Sequence, residues 1–144
     1  MAIQFIMPGK VIMGERALDE AAGLLKELGM KALIVTDRVM AELGNVKILE
    51  EVLEREGLQY TVYDGVFGEP TDHMVEAGTG LYKTAGCDFL IALGGGSALD
   101  TMKAIAALAV LGGKITDMMG KEIKADIAPM VAIPTTAGTG SEAT

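Results

Sequence analysis

Residues 92–106 read ALGGGSALDTMKAIA, with Gly94, Gly95 and Gly96 followed directly by Ser97. The apolar run Phe89 to Leu93 comes before them, and the composition after them is that of a helix. A turn from a buried strand into a helix leaves backbone N–H groups without partners. They point outward together with the positive end of the helix dipole, an arrangement suited to a phosphate or pyrophosphate. Side chains at 94–96 would block such an approach. The other reading is a tight turn that needs positive φ, which explains one or two glycines more easily than three. The dinucleotide fingerprint G-x-G-x-x-G and the G-x-x-x-x-G-K-[ST] of a P-loop are both absent from this stretch.

Other residues near the turn have chemistry of their own. Ser97 and Asp100 form S-x-x-D, the pattern of a capping box, and this accounts for Asp100 without a ligand. Lys103 lies one turn on, where it can pair with Asp100 or reach toward a ligand. Asp37 ends the apolar run 31–35. A carboxylate there can accept from both hydroxyls of a ribose and repel a 2′-phosphate, or it can simply cap the next helix. "IPTTAGTGSEAT" (133–144) places Thr135, Thr136, Thr139 and Ser141 after another apolar run. These hydroxyls can line a phosphate or nicotinamide site, or they can be solvated loop. His73, the one histidine, falls at the start of a helical stretch, where an exposed residue is expected. With one histidine and one cysteine, no nitrogen-rich metal site is expected within the chain, and no catalytic residue is assigned. Cys87, beside the strand that begins at Phe89, reads as buried filler.

These residues need elements to position them. "IQFIMPGKVIMGE" reads as two short extended runs broken at Pro8-Gly9, a β-hairpin. Helical spacing covers 17–28, 45–56, 71 or 72 to 85, and 98–110, and most of these stretches stop at glycine. Apolar or alternating runs at 31–37, 59–65, 87–93 and 128–136 read as strands. Strand–helix alternation with short joins predicts an α/β fold, a parallel sheet covered by helices on both faces. In such sheets ligands bind beyond the carboxyl ends of the strands. That rule selects Asp37, the loop before Thr71, the 94–97 turn and the 134–141 loop, all on one edge of the sheet.

Length and composition bound the rest. The chain has 144 residues, half of them hydrophobic and 22% charged, enough for one domain with a real core. A net charge of −8 without clustered Lys or Arg argues against a nucleic-acid partner. No apolar stretch reaches spanning length and the start lacks a signal-peptide layout, so no membrane role is expected. A lone cysteine fits a reducing compartment, and a cytoplasmic location is expected.

Taken together, "KALIVTD" (31–37), "YDGVFGEPT" (63–71), "CDFLIALGGGSALDTMKAIA" (87–106) and "IPTTAGTGSEAT" (133–144) resemble the iron-containing (group III) alcohol dehydrogenase family along nearly the whole chain. The resemblance implies a Rossmann-like NAD(P)-binding domain over 1–144. It places Asp37 at the adenosine ribose, Gly95, Gly96 and Ser97 at the pyrophosphate, and Thr135 and Thr136 along the cofactor site. It implies hydride transfer between the nicotinamide and an alcohol or aldehyde polarised by Fe²⁺ or Zn²⁺; the expectation of NAD ahead of NADP rests on Asp37 alone. The family's ligands for that metal, an aspartate and three histidines, belong to a helical C-terminal domain beyond Thr144. The chain is therefore expected to bind cofactor without completing catalysis alone. It is also expected to expose apolar surface at "APMVAIP" and at 104–110, a route to homo-oligomers. The alternatives are a stand-alone nucleotide-binding module and a relative of the glycerol dehydrogenase or dehydroquinate synthase type; PTTAGTGSE resembles the alcohol dehydrogenase branch more closely.

Overall fold

The computed structural model describes residues 2, 3 and 7–144. Its elements are α1 (Ala17–Leu25), β1 (Lys31–Val35), α2 (Arg38–Glu42), α3 (Asn45–Arg55), β2 (Gln59–Tyr63), α4 (Asp72–Thr84), β3 (Phe89–Gly94), α5 (Gly96–Leu111) and β4 (Met130–Pro134), with 3₁₀ turns at Ile115–Met118 and Ser141–Ala143. The strands form one sheet in the order β2-β1-β3-β4, and every pairing is parallel. Leu33 stands opposite Thr61 on one side and Leu90 on the other, which fixes the register of the two central strands.

The side-chain period of two divides each central strand between two cores. Leu33, Val35, Leu90 and Ala92 pack with Val75 of α4 and with Leu99, Met102 and Ile105 of α5. Ala32, Ile34, Phe89, Ile91 and Leu93 pack on the opposite face with Leu25 of α1 and with Val46, Leu49 and Leu53 of α3. Residues 32–35 and 89–92 are fully buried, so β1 and β3 read as continuous apolar runs rather than alternating ones. Each such Leu, Ile, Val or Phe contributes about 1.5–3 kcal/mol relative to exposure. The fold is therefore the expected α/β sandwich, with helices on both faces of a parallel sheet.

Differences lie at the ends of elements. The 17–28 helix closes its regular part at Leu25, and its last residues form a turn. The strand expected over 31–37 stops at Val35; the Thr36 N–H still bonds Tyr63 O of β2, and Asp37 then caps α2. The helix expected from Ala98 begins two residues earlier, at Gly96, with Gly95 as its N-cap and no side-chain cap. The Ser97–Asp100 capping box is therefore not formed. Ser97 is already inside the first turn, where its hydroxyl is no longer in capping position. For the N-terminal hairpin, residues 4–6 of its first arm lie outside the described residues, and residues 7–13 carry no strand.

The expected apolar exposure holds only in part. Ile105, Ala106, Ala107 and Leu108 are buried, whereas Val110 and Leu111 at the end of α5 are exposed. β4 is an edge strand, half-buried over most of its length. No helix among the described residues is long and apolar enough to cross a membrane.

Candidate functional site

The chain runs from β1 outward to β2, and α4 then carries it back across to β3 on the other side of β1. Adjacent connections thus leave in opposite directions between β1 and β3. The carboxyl ends of these strands part there and leave a crevice. A cleft of about 660 Å³ occupies that place. Its walls come from every strand end: Asp37 to Met40 after β1, Asp64 to Gly68 after β2, Gly95 to Ala98 after β3, and Thr135 and Thr136 after β4.

The glycine turn is built for close approach. Gly94 has φ +152°, a conformation that a residue with a side chain rarely adopts, and a Cβ there would stand 3.0 Å from Ala98 Cβ. A Cβ at Gly95 would sit 3.2 Å from Thr136 Oγ1, and one at Gly96 would sit 3.1 Å from Ser141 Oγ. Each of the three glycines thus has its own reason: backbone conformation at the first, and the crowding 135–141 loop at the other two. The first bond of the α5 ladder runs from Leu99 N–H to Gly95 O at 3.2 Å. The N–H groups of Gly96, Ser97 and Ala98 precede that bond, and among the described residues none of them donates to a protein acceptor. They open into the cleft at the positive end of a helix 16 residues long.

Asp37 does two things at once. Its Oδ1 accepts from Met40 N–H at 2.9 Å and caps α2, while the residue lines the cleft. Its Oδ2 faces the glycine turn, 3.4 Å from where a Cβ on Gly94 would lie. The cap is thus formed with one carboxylate oxygen, and the other stays on the side of the turn. Beneath it, Thr36 is fully buried; its hydroxyl donates to Leu93 O at 2.7 Å and its N–H donates to Tyr63 O at 2.9 Å. Tyr63 in turn donates its hydroxyl to Met74 O at 2.8 Å, holding the start of the 64–68 loop against α4. Burial, and next the Asp64 carboxylate, push the Tyr63 phenol above its ordinary range, so it stays a donor.

The remaining candidates lie outside the cleft wall. Thr139 and Ser141 pack behind Gly96, where Ser141 N–H donates to Thr139 Oγ1 at 3.3 Å. They support the turn from the far side. Asp100 is exposed on α5 and pairs with Lys103 at 3.3 Å, and Lys103 also meets the Thr144 hydroxyl. His73 is exposed on the first turn of α4. Cys87 is buried, and burial raises its thiol above the ordinary range, which suits filler and not a nucleophile. Among the described residues, no three His, Cys, Asp or Glu side chains come together as a metal site. Residue types alone did not single out Arg38, Val39, Met40 and Phe67, all of which line the cleft. The available signal was position, since each follows a strand end within a few residues.

A doubly wound sheet with its cleft at the switch point, floored by a glycine turn, is of the Rossmann-like class. The model of one family, iron-containing alcohol dehydrogenase, matches residues 8–144, and the chain belongs to that family. It is 38% identical over 142 residues to the NAD-dependent methanol dehydrogenase of Bacillus methanolicus, covering 97% of this chain and 37% of that protein. The solved structure of a 1,3-propanediol oxidoreductase superposes with a TM-score of 0.95 at 32% identity, over 100% of this chain and 38% of that one. A sulfoacetaldehyde reductase from Bifidobacterium kashiwanohense, solved in complex with NAD⁺, gives a TM-score of 0.89 at 29% identity, over 100% of this chain and 39% of that one. The chain spans well under half the length of each of these proteins.

Proposed function

We propose that this chain binds NAD in the cleft between β1 and β3 and forms the dinucleotide-binding part of a metal-dependent alcohol dehydrogenase. The observation that carries the reading is the set of unpartnered amides at Gly96, Ser97 and Ala98, opening into the cleft from a turn without side chains. A pyrophosphate supplies the acceptors and the negative charge that this turn lacks. Asp37, held rigid by its bond to Met40, takes the ribose hydroxyls and repels a 2′-phosphate, which favours NAD over NADP. Thr135 and Thr136 form the wall above the turn, and Thr139 and Ser141 hold Gly96 in place from behind.

The bound nicotinamide supplies the hydride acceptor for oxidation of an alcohol, or the donor for reduction of an aldehyde. Relatives named for methanol, propanediol and sulfoacetaldehyde chemistry share this alcohol–aldehyde exchange. The family resemblance brings Fe²⁺ or Zn²⁺ to that reaction as a Lewis acid. The described residues do not assemble ligands for either ion.

Calorimetric titration of NAD into the chain tests the reading, with Gly95→Val as the control. Gly95 has φ −81°, which valine adopts, and its Cβ displaces the Thr136 hydroxyl by a few tenths of an ångström. The variant is therefore expected to unfold cooperatively at a somewhat lower midpoint, which a circular dichroism melt checks. Its isopropyl group fills the approach to the amides and is expected to weaken NAD by about a hundredfold. Equal NAD affinity in parent and variant would remove the turn from the binding site.

A further inference from the structure

Three arginines are present in the sequence: Arg16, Arg38 and Arg55. Two of them converge on one carboxylate, since Arg55 reaches Asp19 at 3.0 Å and Arg16 reaches it at 3.4 Å. Arg38 takes no ion pair or side-chain hydrogen bond among the described residues, although the chain carries 20 acidic side chains. It lines the cleft directly beside Asp37, and its residue is exposed. The two neighbours differ in freedom. Asp37 is pinned to Met40 N–H, whereas no described residue holds the Arg38 guanidinium in place.

We propose that Arg38 is a specificity-determining residue, the cationic half of a pair that sets how strongly the cleft discriminates NAD from NADP. This inference rests on the dinucleotide reading above. A pinned carboxylate at the end of β1 disfavours a 2′-phosphate by charge. A guanidinium on the next residue presents a planar fork of donors matched to phosphate oxygens. Arg38 therefore offsets part of the repulsion by Asp37, and it becomes the principal 2′-phosphate contact once that charge is removed. NAD, which carries a hydroxyl at the same place, gives the guanidinium little to bind. The effect of Arg38 is thus confined to NADP.

The test is a four-protein cycle: the parent, Asp37→Asn, Arg38→Ala and the double variant, each titrated with NAD and NADP. Asparagine keeps an N-cap acceptor for Met40 while losing the charge, so α2 stays capped. Asp37→Asn is expected to raise NADP affinity about tenfold, and adding Arg38→Ala is expected to take about the same factor away. NAD affinity should shift less than about threefold between each protein that keeps Arg38 and its Arg38→Ala counterpart. Two results overturn the inference alone. One is NADP affinity that ignores Arg38 in the Asp37→Asn background. The other is parallel loss of NAD and NADP on Arg38→Ala, which would mean that the guanidinium stacks on the shared adenine. Failure of the parent to bind NAD overturns the dinucleotide reading and this inference with it. Circular dichroism melts of the four proteins separate a binding loss from a folding loss.

Discussion

Thr36 shows what a single hydroxyl does beneath the cleft. Its side chain bonds Leu93 O and its amide bonds Tyr63 O, so one buried residue joins the carboxyl ends of β1, β2 and β3 just where Asp37 begins the cleft wall. Valine has nearly the same shape and no donor. Thr36→Val leaves Leu93 O buried without that bond, and is expected to cost about 1–3 kcal/mol of stability. Urea unfolding followed by circular dichroism measures this, and an unchanged midpoint would mean that the carbonyl finds another donor. Nothing in the residue pattern signals such a role, because a threonine at the end of an apolar run looks like any solvated strand end. Asp37 was readable from its place after β1. Arg38 was not, since a charged residue in the first turn of a helix is usually surface, and only the fold places it on the cleft wall. The glycine turn was legible because three side chains are missing in succession, a pattern that no propensity favours.

At the scale of elements, the close packing of α4 on α5 depends on a missing side chain. A Cβ on Gly78 would lie 2.3 Å from Ile105 Cδ1 and 3.1 Å from Tyr63 Cε1. Gly78 and Ile105 are both buried, and Tyr63 holds the 64–68 loop, so this contact reaches the cleft through packing. Gly78→Ala gains helix propensity of about 1 kcal/mol but overpacks a fully buried isoleucine, which costs about 1–3 kcal/mol. A small net loss is expected. The decisive measurement is the cycle with Ile105→Val, which deletes the clashing methyl. In that background Gly78→Ala should become neutral or stabilising, giving a coupling of about 1 kcal/mol or more. Strict additivity would show that the helices separate to admit the methyl. Helix and strand existence was legible here from period and stop residues. The early start of α5 was not, because glycine scores as a helix breaker. At Gly96 it instead lets the first turn form with Ser141 and Thr139 pressed against it.

For the whole molecule, alternation of strands and helices implied a parallel sheet, and the apolar runs of β1 and β3 implied burial on both faces. The strand order did not follow from pattern, because β1 and β3 differ from β2 and β4 only in how completely they are buried. That order matters, since it puts the switch point between β1 and β3 and so places Asp37 and the glycine turn on one cleft. We infer from the same geometry that the chain by itself binds cofactor without oxidising an alcohol. The cleft carries two carboxylates, Asp37 and Asp64, and one guanidinium, while the lone histidine is exposed at the start of α4. No described cluster offers a metal three ligands from His, Cys, Asp or Glu. Alcohol oxidation by the purified 144-residue chain, supplied with NAD and Fe²⁺ or Zn²⁺, is expected to stay at the background rate, even under conditions where calorimetry shows NAD bound. Metal-dependent NADH formation that survives repurification and is lost in Gly95→Val would show instead that these residues assemble a working centre.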